Sequence, residues 1–313
     1  MTKLTVAICT YNRAERLPAL VSALRAQVCS VPFDILFINN NSTDNTADVL
    51  GSLALQPGAL VRTVFETQQG IVHARNRAIQ EAMDSDYLFF MDDDEHPMPG
   101  WLAAGLDALQ NEGADCVGGR VKVKFGPHVR PQWLEDELLG FLAEVDHGES
   151  PIWITDESTK IWTANVAYHV DIFRKDPNLR FDLRYNREGT DIGGGEDAIM
   201  FLQLLSRRLR IRYRPDMMVE HFVEPWRMKR RYFLRLHHRA GVRAGLYQDM
   251  EYPMQVFGVP PILVRQGISQ LMNALKLYIQ GKPRALRQAM TAANTVGVIW
   301  GRITRTKISN TGR

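Results

Sequence analysis

Cysteine is scarce in this chain. Its 313 residues include three, Cys9, Cys29 and Cys116. They are too few and too scattered for a disulfide framework, and no CxxC pair or Cys/His cluster marks a zinc site. They read as reduced, small apolar residues of a cytosolic protein. Long apolar runs are missing as well. The opening MTKLTVAICTYN turns polar at Thr10, too soon for a signal peptide. Nowhere do about 18 apolar residues follow one another, which excludes an ordinary membrane-spanning helix. The first strand-to-helix junction, TYNRAER, holds no glycine, unlike the Gly-rich loop with which a nucleotidyltransferase cradles phosphate. No internal repeat and no low-complexity segment is found.

Acidic residues are nearly absent from the last quarter. Between Trp226 and Arg313 there are sixteen Lys/Arg and two acids, Asp249 and Glu251, a charge of +14. The chain as a whole carries +3, which leaves −11 on residues 1–225. A basic tail on an acidic body calls for an anionic partner at the tail. The basic residues lie among apolar stretches and not on an aromatic stacking surface, so a peripheral membrane surface fits better than nucleic acid. The place expected for such a chain is the cytoplasm, at the cytoplasmic face of the inner membrane.

Residues 1–95 alternate strand and helix patterns. LTVAICT, FDILFIN, ALVRTVFE and DYLFFMD read as strands, and the segments between them as helices. That order predicts a Rossmann-like α/β fold, a mostly parallel sheet with right-handed crossovers and helices on both faces. Ligands on such sheets bind beyond the carboxyl ends of the strands. Residues 96–225 are mixed, with an irregular stretch over 127–160, a strand or strand and turn in KIWTANVAYHV, a helix in EDAIMFLQLLSRRL, and two short strands in RIRYRP and MMVEHFV. From Trp226 onward three basic amphipathic helices are expected, broken at Pro260–Pro261 and at Gly281–Pro283. The chain thus divides at 1–225 and 226–313.

Polar clusters stand where strands end. Asp92, Asp93 and Asp94, followed by Glu95, close the fourth strand. Adjacent carboxylates repel unless a cation is present, and hard oxygen ligands suit Mn²⁺ or Mg²⁺ bridging a diphosphate; a solvated acidic turn gives the same string. Asn39, Asn40, Asn41, Ser42, Thr43 and Asp44 follow the second strand, where they can bond a base and ribose or, in part, cap the next helix. Arg75, one turn into the third helix, suits a base or phosphate contact, or an ordinary surface position. Three glycines precede Glu196 and Asp197. Acids favour a helix N-terminus for its dipole, but the glycines add room for close approach of a ligand, and a carboxylate there can act as a general base. His221, at the end of VEH, is a candidate third metal ligand or phosphate contact, or a packed histidine.

In the order VAICTYNR, NNNSTDNT, GIVHARNRAI, MDDDEHPMPGWL, GGGED and VEH, these segments resemble the family 2 glycosyltransferases of GT-A fold, over roughly residues 3–245. The resemblance implies a nucleoside-diphosphate sugar donor, a divalent cation and an inverting transfer to a glycan or lipid-linked acceptor. It makes 1–95 the nucleotide-sugar half and 96–225 the acceptor half of a catalytic domain. It places Thr10, Tyr11 and Arg13 near the nucleotide, and Asn39, Asp44 and Arg75 on the base and ribose. Asp92 and Asp94 match the DxD pair, with Asp94 on the metal and Asp93 at the base–sugar junction. Asp197 matches the catalytic base, Glu196 a supporting or acceptor-orienting acid, and His221 a metal or diphosphate contact. Trp162 and Asn165 match acceptor-side sugar contacts. Family members often carry an acid where Asn39 and Asn40 stand, which leaves the base open. The QxxRW motif of processive polymer synthases is absent, which implies single additions. A non-catalytic nucleotide-sugar sensor would keep the donor site without needing Asp197.

Overall fold

The computed structural model describes residues 2–187, 192–248, 252–256 and 258–311, with side chains through 307. Asp191, ahead of the glycines, and the two tail acids Asp249 and Glu251 lie outside the described residues. The chain forms two compact units. The first takes in residues 1–127, 136–190 and 196–223; the second takes in 128–135, 191–195 and 224–313.

The first unit is built on one mixed sheet. β1 (Leu4–Thr10), β2 (Phe33–Asn39), β3 (Leu60–Phe65) and β4 (Tyr87–Met91) run parallel in the order β3-β2-β1-β4. Their connections are α1 (Leu17–Arg25), α2 (Thr46–Ala54) and α3 (Ile71–Glu81). β1 and β4 read as unbroken apolar runs because helices cover both faces, and nearly every residue in them is buried. In α1, Leu17, Leu20, Val21 and Leu24 repeat at helical spacing and bury the sheet-facing stripe. The chain steps outward from β1 to β2 and β3, then returns to β4 on the other side of β1. The reversal leaves a crevice beyond the carboxyl ends of β1 and β4, where open α/β sheets bind ligands.

Beyond β4 the sheet is largely antiparallel. A three-residue strand, β5 (Glu95–Pro97), follows the aspartates, then α4 (Trp101–Gln110) and β6 (Cys116–Lys124). After a 3₁₀ turn at Asp136–Leu142 come β7 (Ile152–Ile154), β8 (Asn165–His169), α5 (Asp171–Lys175), a second 3₁₀ turn at Leu183–Tyr185 and α6 (Glu196–Ser206). The last strand, β9 (Ile211–Phe222), is one element where the sequence suggests two. Pro215 does not end it. The register against β6 slips between Gly119 and Arg120, which pair with Arg214 and Met218, and the strand resumes. β8 pairs antiparallel with β4 and β6, and β5 and β7 pair antiparallel with β9. The sequence reading gave no sign of β5 or β7, because three residues are too few to show a period.

The second unit is helical, with α7 (Arg230–Tyr247), α8 (Pro261–Ile279) and α9 (Ala285–Thr311). α7 and α9 meet backbone to backbone. Gly241 and Gly245 face Gly297 and Gly301, and a Cβ on Gly241 would lie 2.0 Å from the Asn294 carbonyl oxygen. Paired glycines four apart permit this approach, as they do in close helix pairs generally. Trp133 closes the unit edge-to-face on Phe233, with the Arg230 guanidinium over the Trp133 ring at 5.3 Å.

Candidate active site

The site is assembled by contacts between residues far apart in sequence. Arg75 lies on the inward side of α3 and is 2 % exposed. Its Nη2 donates to Asp92 Oδ1 at 3.3 Å, and its Nη1 donates to Asp197 Oδ1 at 2.6 Å and to Glu196 Oε1 at 3.3 Å. The Phe181 ring supports the guanidinium, 5.5 Å from its central carbon. Asn76, the next residue, fixes that ring's backbone through two reciprocal bonds of 2.9 Å. One buried cation therefore joins the aspartates that close β4 to the acidic pair that opens α6. Burial opposes its charge, yet Asp197, Asp92 and Glu196 together hold the Arg75 pKa above the ordinary arginine value.

The two acids of α6 differ. Glu196 is buried, and burial followed by the charge of Asp197 raises its pKa, against the pull of Arg75 and Arg187. Arg187, which the sequence reading missed, brings its Nε to 4.0 Å from Glu196 Oε1. Asp197 is accessible, its side chain 23 % exposed. Gly194 and Gly195, with φ of 152° and 117°, precede the pair with backbone that other residues rarely adopt.

At the carboxyl end of β1, the Thr10 hydroxyl donates to Asp93 Oδ2 at 2.7 Å. Burial and the neighbouring Asp94 push the Asp93 carboxyl up to about 7, against the Thr10 bond and Arg13. Burial, then Asp92 and Asp94, raise Glu95 well above the carboxylate range. Cys9 lies alongside, its thiol pushed up to about 12 chiefly by burial. β5 brings in the histidine: Glu95 pairs with His221 across the β5–β9 ladder. His221 Nδ1 stands 3.3 Å from Asp94 Oδ1 and 3.8 Å from Glu95 Oε1.

This donor set fits a hard divalent cation. It offers a carboxylate and an imidazole side by side, among carboxylates whose pKa values are raised first by burial and then by one another's charge. Among the described residues no group of three or more His, Cys, Asp or Glu side chains is arranged to hold a metal by itself.

The asparagines have internal work. Asn39, 1 % exposed, accepts from Ser42 N at 3.1 Å and shapes its own turn. Asn40 accepts from Gly70 N at 2.7 Å and donates to Gln68 O at 2.7 Å, clamping the entry to α3. Asn12, with φ of 53°, accepts from Thr43 N at 2.7 Å and donates its own N–H to Ser42 Oγ at 3.0 Å, bracing the β1 and β2 loops together. Asp44 accepts from Thr46 N at 3.0 Å and remains exposed. The polar surplus after β2 thus has a structural cause that capping alone does not supply. Tyr11 and Arg13 sit half-buried on the β1 loop, and Arg13 N donates to Thr46 Oγ1 at 3.3 Å.

The acceptor-side pair separates. Trp162 is partly buried against the core. Asn165 is 1 % exposed, and its amide is fully engaged. It accepts from Trp101 Nε1 at 2.7 Å and donates to Arg120 O at 2.9 Å and Met217 O at 2.7 Å, tying α4, β6 and β9 together. Asn165 is a buried strut of the sheet.

The chain is similar to known proteins. The profile of Glycosyl transferase family 2 matches residues 5–176. The succinoglycan biosynthesis protein ExoM of Rhizobium meliloti is 25 % identical over 242 residues, which cover 72 % of this chain and 71 % of ExoM. Two further relatives match over shorter stretches. Glycosyltransferase AglE of Haloferax volcanii is 29 % identical over 39 % of this chain and 40 % of AglE. The undecaprenyl-phosphate 4-deoxy-4-formamido-L-arabinose transferase of Serratia proteamaculans is 31 % identical over 37 % of this chain and 36 % of that enzyme. The match therefore spans less than half the length of these two. Among solved structures, the mannosyltransferase PcManGT of Pyrobaculum calidifontis, in complex with GDP-Man and Mn²⁺, superposes over 99 % of this chain and 79 % of its own, with TM-score 0.57 and 20 % identity, a likeness of fold. With the profile spanning more than half of its length, the chain belongs to glycosyl transferase family 2, and its fold is GT-A.

Proposed function

We propose that this enzyme moves a sugar, with inversion, from a nucleoside-diphosphate sugar to a hydroxyl of a glycan or lipid-linked acceptor, with Asp197 as general base and with Mn²⁺ or Mg²⁺ at Asp94 and His221. One observation carries the reading: the buried Arg75 guanidinium joins Asp92 on the donor side to Asp197 and Glu196 on the acceptor side. The acids that would meet the two substrates thereby share one crevice.

Each residue then has a task. Thr10 fixes Asp93 where β1 and β4 diverge, and Tyr11, Arg13 and Asp44 stand on the adjoining loops, the place where a nucleotide fits such a sheet. Asp94 and His221 would hold a divalent cation, whose charge would make the diphosphate a better leaving group. Asp197, held at Oδ1 by Arg75 and open to solvent, takes the proton of the acceptor hydroxyl. The acceptor oxygen then forms a bond to the anomeric carbon on the face opposite the departing diphosphate, and configuration inverts. Glu196 is too deeply buried for that role and instead helps to anchor Arg75. Trp162 is the aromatic side chain we assign to the acceptor half.

The named relatives support the choice of substrates. ExoM is named for succinoglycan, the Serratia enzyme for undecaprenyl phosphate, and PcManGT was captured with GDP-Man and Mn²⁺. We place the reaction at the cytoplasmic face of a membrane. Among the described residues no helix is long and apolar enough to cross one. A thermal-shift screen of nucleoside-diphosphate sugars with and without Mn²⁺ tests the proposal. A ligand at about 100 times its Kd stabilises by about 2.7 kcal/mol, a shift of several degrees. A panel in which no nucleotide sugar moves the transition, with or without Mn²⁺, contradicts it.

A further inference from the structure

α8 carries two apolar faces. One is narrow and lined by small residues: Leu263, Gly267 and Ala274 are buried, and Gly267 faces Thr295 and Ile299 of α9. The other is open. Val264, Ile268, Leu271, Leu275 and Tyr278 recur at helical spacing along one stripe. Met272 and Ile279 widen the stripe, with Arg265 and Lys276 along its border. Ile268, Leu271, Met272, Leu275, Tyr278 and Ile279 are each more than half exposed. At its N-terminal end the stripe runs into a groove of about 530 Å³ lined by Val256, Val259, Pro261, Val264, Arg265 and Ile268. Soluble monomers rarely leave so long a row of large apolar side chains in water, and such a row marks an interaction surface.

The charge around the stripe selects the partner. Residues 252–313 contain nine Lys/Arg and neither Asp nor Glu. Two copies of such a segment brought face to face would repel, whereas an anionic surface complements it. α8 is too polar to cross a bilayer, and an apolar stripe bordered by cations is the pattern of a helix lying in the interfacial plane. We infer that the open face of α8 docks in the headgroup region of a bilayer containing anionic phospholipid, with Leu271 and Leu275 at its centre. α7 and α9 are less suited, because they bury their glycine faces against each other. The inference does not depend on the sugar-transfer reading, and its test reads binding alone.

The full chain should float with vesicles of phosphatidylcholine carrying about 30 % phosphatidylglycerol. Binding should be at least tenfold weaker on pure phosphatidylcholine and should weaken with salt, which screens exposed charge. The double variant Leu271→Glu/Leu275→Glu should bind at least tenfold more weakly while keeping its circular dichroism and melting temperature, since both side chains are exposed. Lys276→Glu/Lys282→Glu, at exposed positions, should weaken binding several-fold. Val28→Glu, at an exposed apolar residue of the first unit, should bind like wild type. Wild type that fails to float, or a Leu271/Leu275 double variant that floats equally well, overturns the inference. So does a wild-type dimer by light scattering that the double variant converts to monomer, because the face would then belong to a second copy.

Discussion

Replacing Arg75 by methionine should destabilise the first unit strongly, and by a route that a second substitution can undo. Arg75 is 2 % exposed and donates to three carboxylates. Methionine keeps much of the volume but leaves the buried Glu196 with only Arg187 Nε, 4.0 Å away, as a counter-charge. Removing one partner of a buried ion pair costs about 3–5 kcal/mol. At about 2–4 °C per kcal/mol for a domain of this size, Tm should fall by about 6–20 °C. The cost comes mainly from the uncompensated charge on Glu196, so Glu196→Gln in the Arg75→Met background should recover more than half of the loss. Asp197→Asn in the same background should recover less, because Asp197 is 23 % exposed and water screens it. Calorimetry of the four proteins without nucleotide reads this order directly. An Arg75→Met protein melting within about 2 °C of wild type, or rescue by Asp197→Asn as complete as by Glu196→Gln, would refute the reasoning.

Three further outcomes are expected. Asn165→Ala should cost about 1–3 kcal/mol for each buried partner left unsatisfied, Trp101 Nε1 among them, and so lower Tm without changing acceptor KM; an unchanged Tm with a raised KM would restore Asn165 as a sugar contact. Gly241→Ala should force α7 and α9 apart, since its Cβ would meet the Asn294 carbonyl oxygen at 2.0 Å, and a loss of about 1–3 kcal/mol or more should appear in chemical denaturation. Burial lowers the His237 pKa, against its bond to Phe233 O. The native state then binds fewer protons than the unfolded chain, so this residue's contribution is present above about pH 6.5 and lost as pH falls below it. His237→Gln should therefore reduce the drop in Tm between pH 7.5 and 5, and an identical drop in the variant contradicts that assignment.

The parallel half of the sheet was legible because burial writes itself into sequence. LTVAICT and FDILFIN are dominated by apolar residues, and β1 and β2 occupy those same residues. The polar strand ends were visible for the complementary reason, since a parallel sheet buries its middle and exposes its rims. Pairing was not legible. β5 is three residues that begin on the last acid of the DDDE run, and its register with β9 sets His221 beside Asp94. Arg75 read as a ligand contact because its three acid partners lie 17, 121 and 122 residues away, beyond the reach of any local pattern. The structural bonds of Asn165 and of the asparagines after β2 were hidden for a related reason. A polar side chain that satisfies buried backbone has the same letter as one that binds a sugar, and only burial and partners tell the two apart.

The most direct measurement is calorimetric titration of nucleoside diphosphate, with and without Mn²⁺, into wild type, Asp94→Ala and Asp197→Asn, followed by transfer assays with the donor that binds. Wild type should bind in a Mn²⁺-dependent way, Asp94→Ala should lose that dependence, and Asp197→Asn should bind like wild type yet transfer no sugar. Equal Mn²⁺-dependent affinity in Asp94→Ala, or wild-type turnover in Asp197→Asn, would contradict the account.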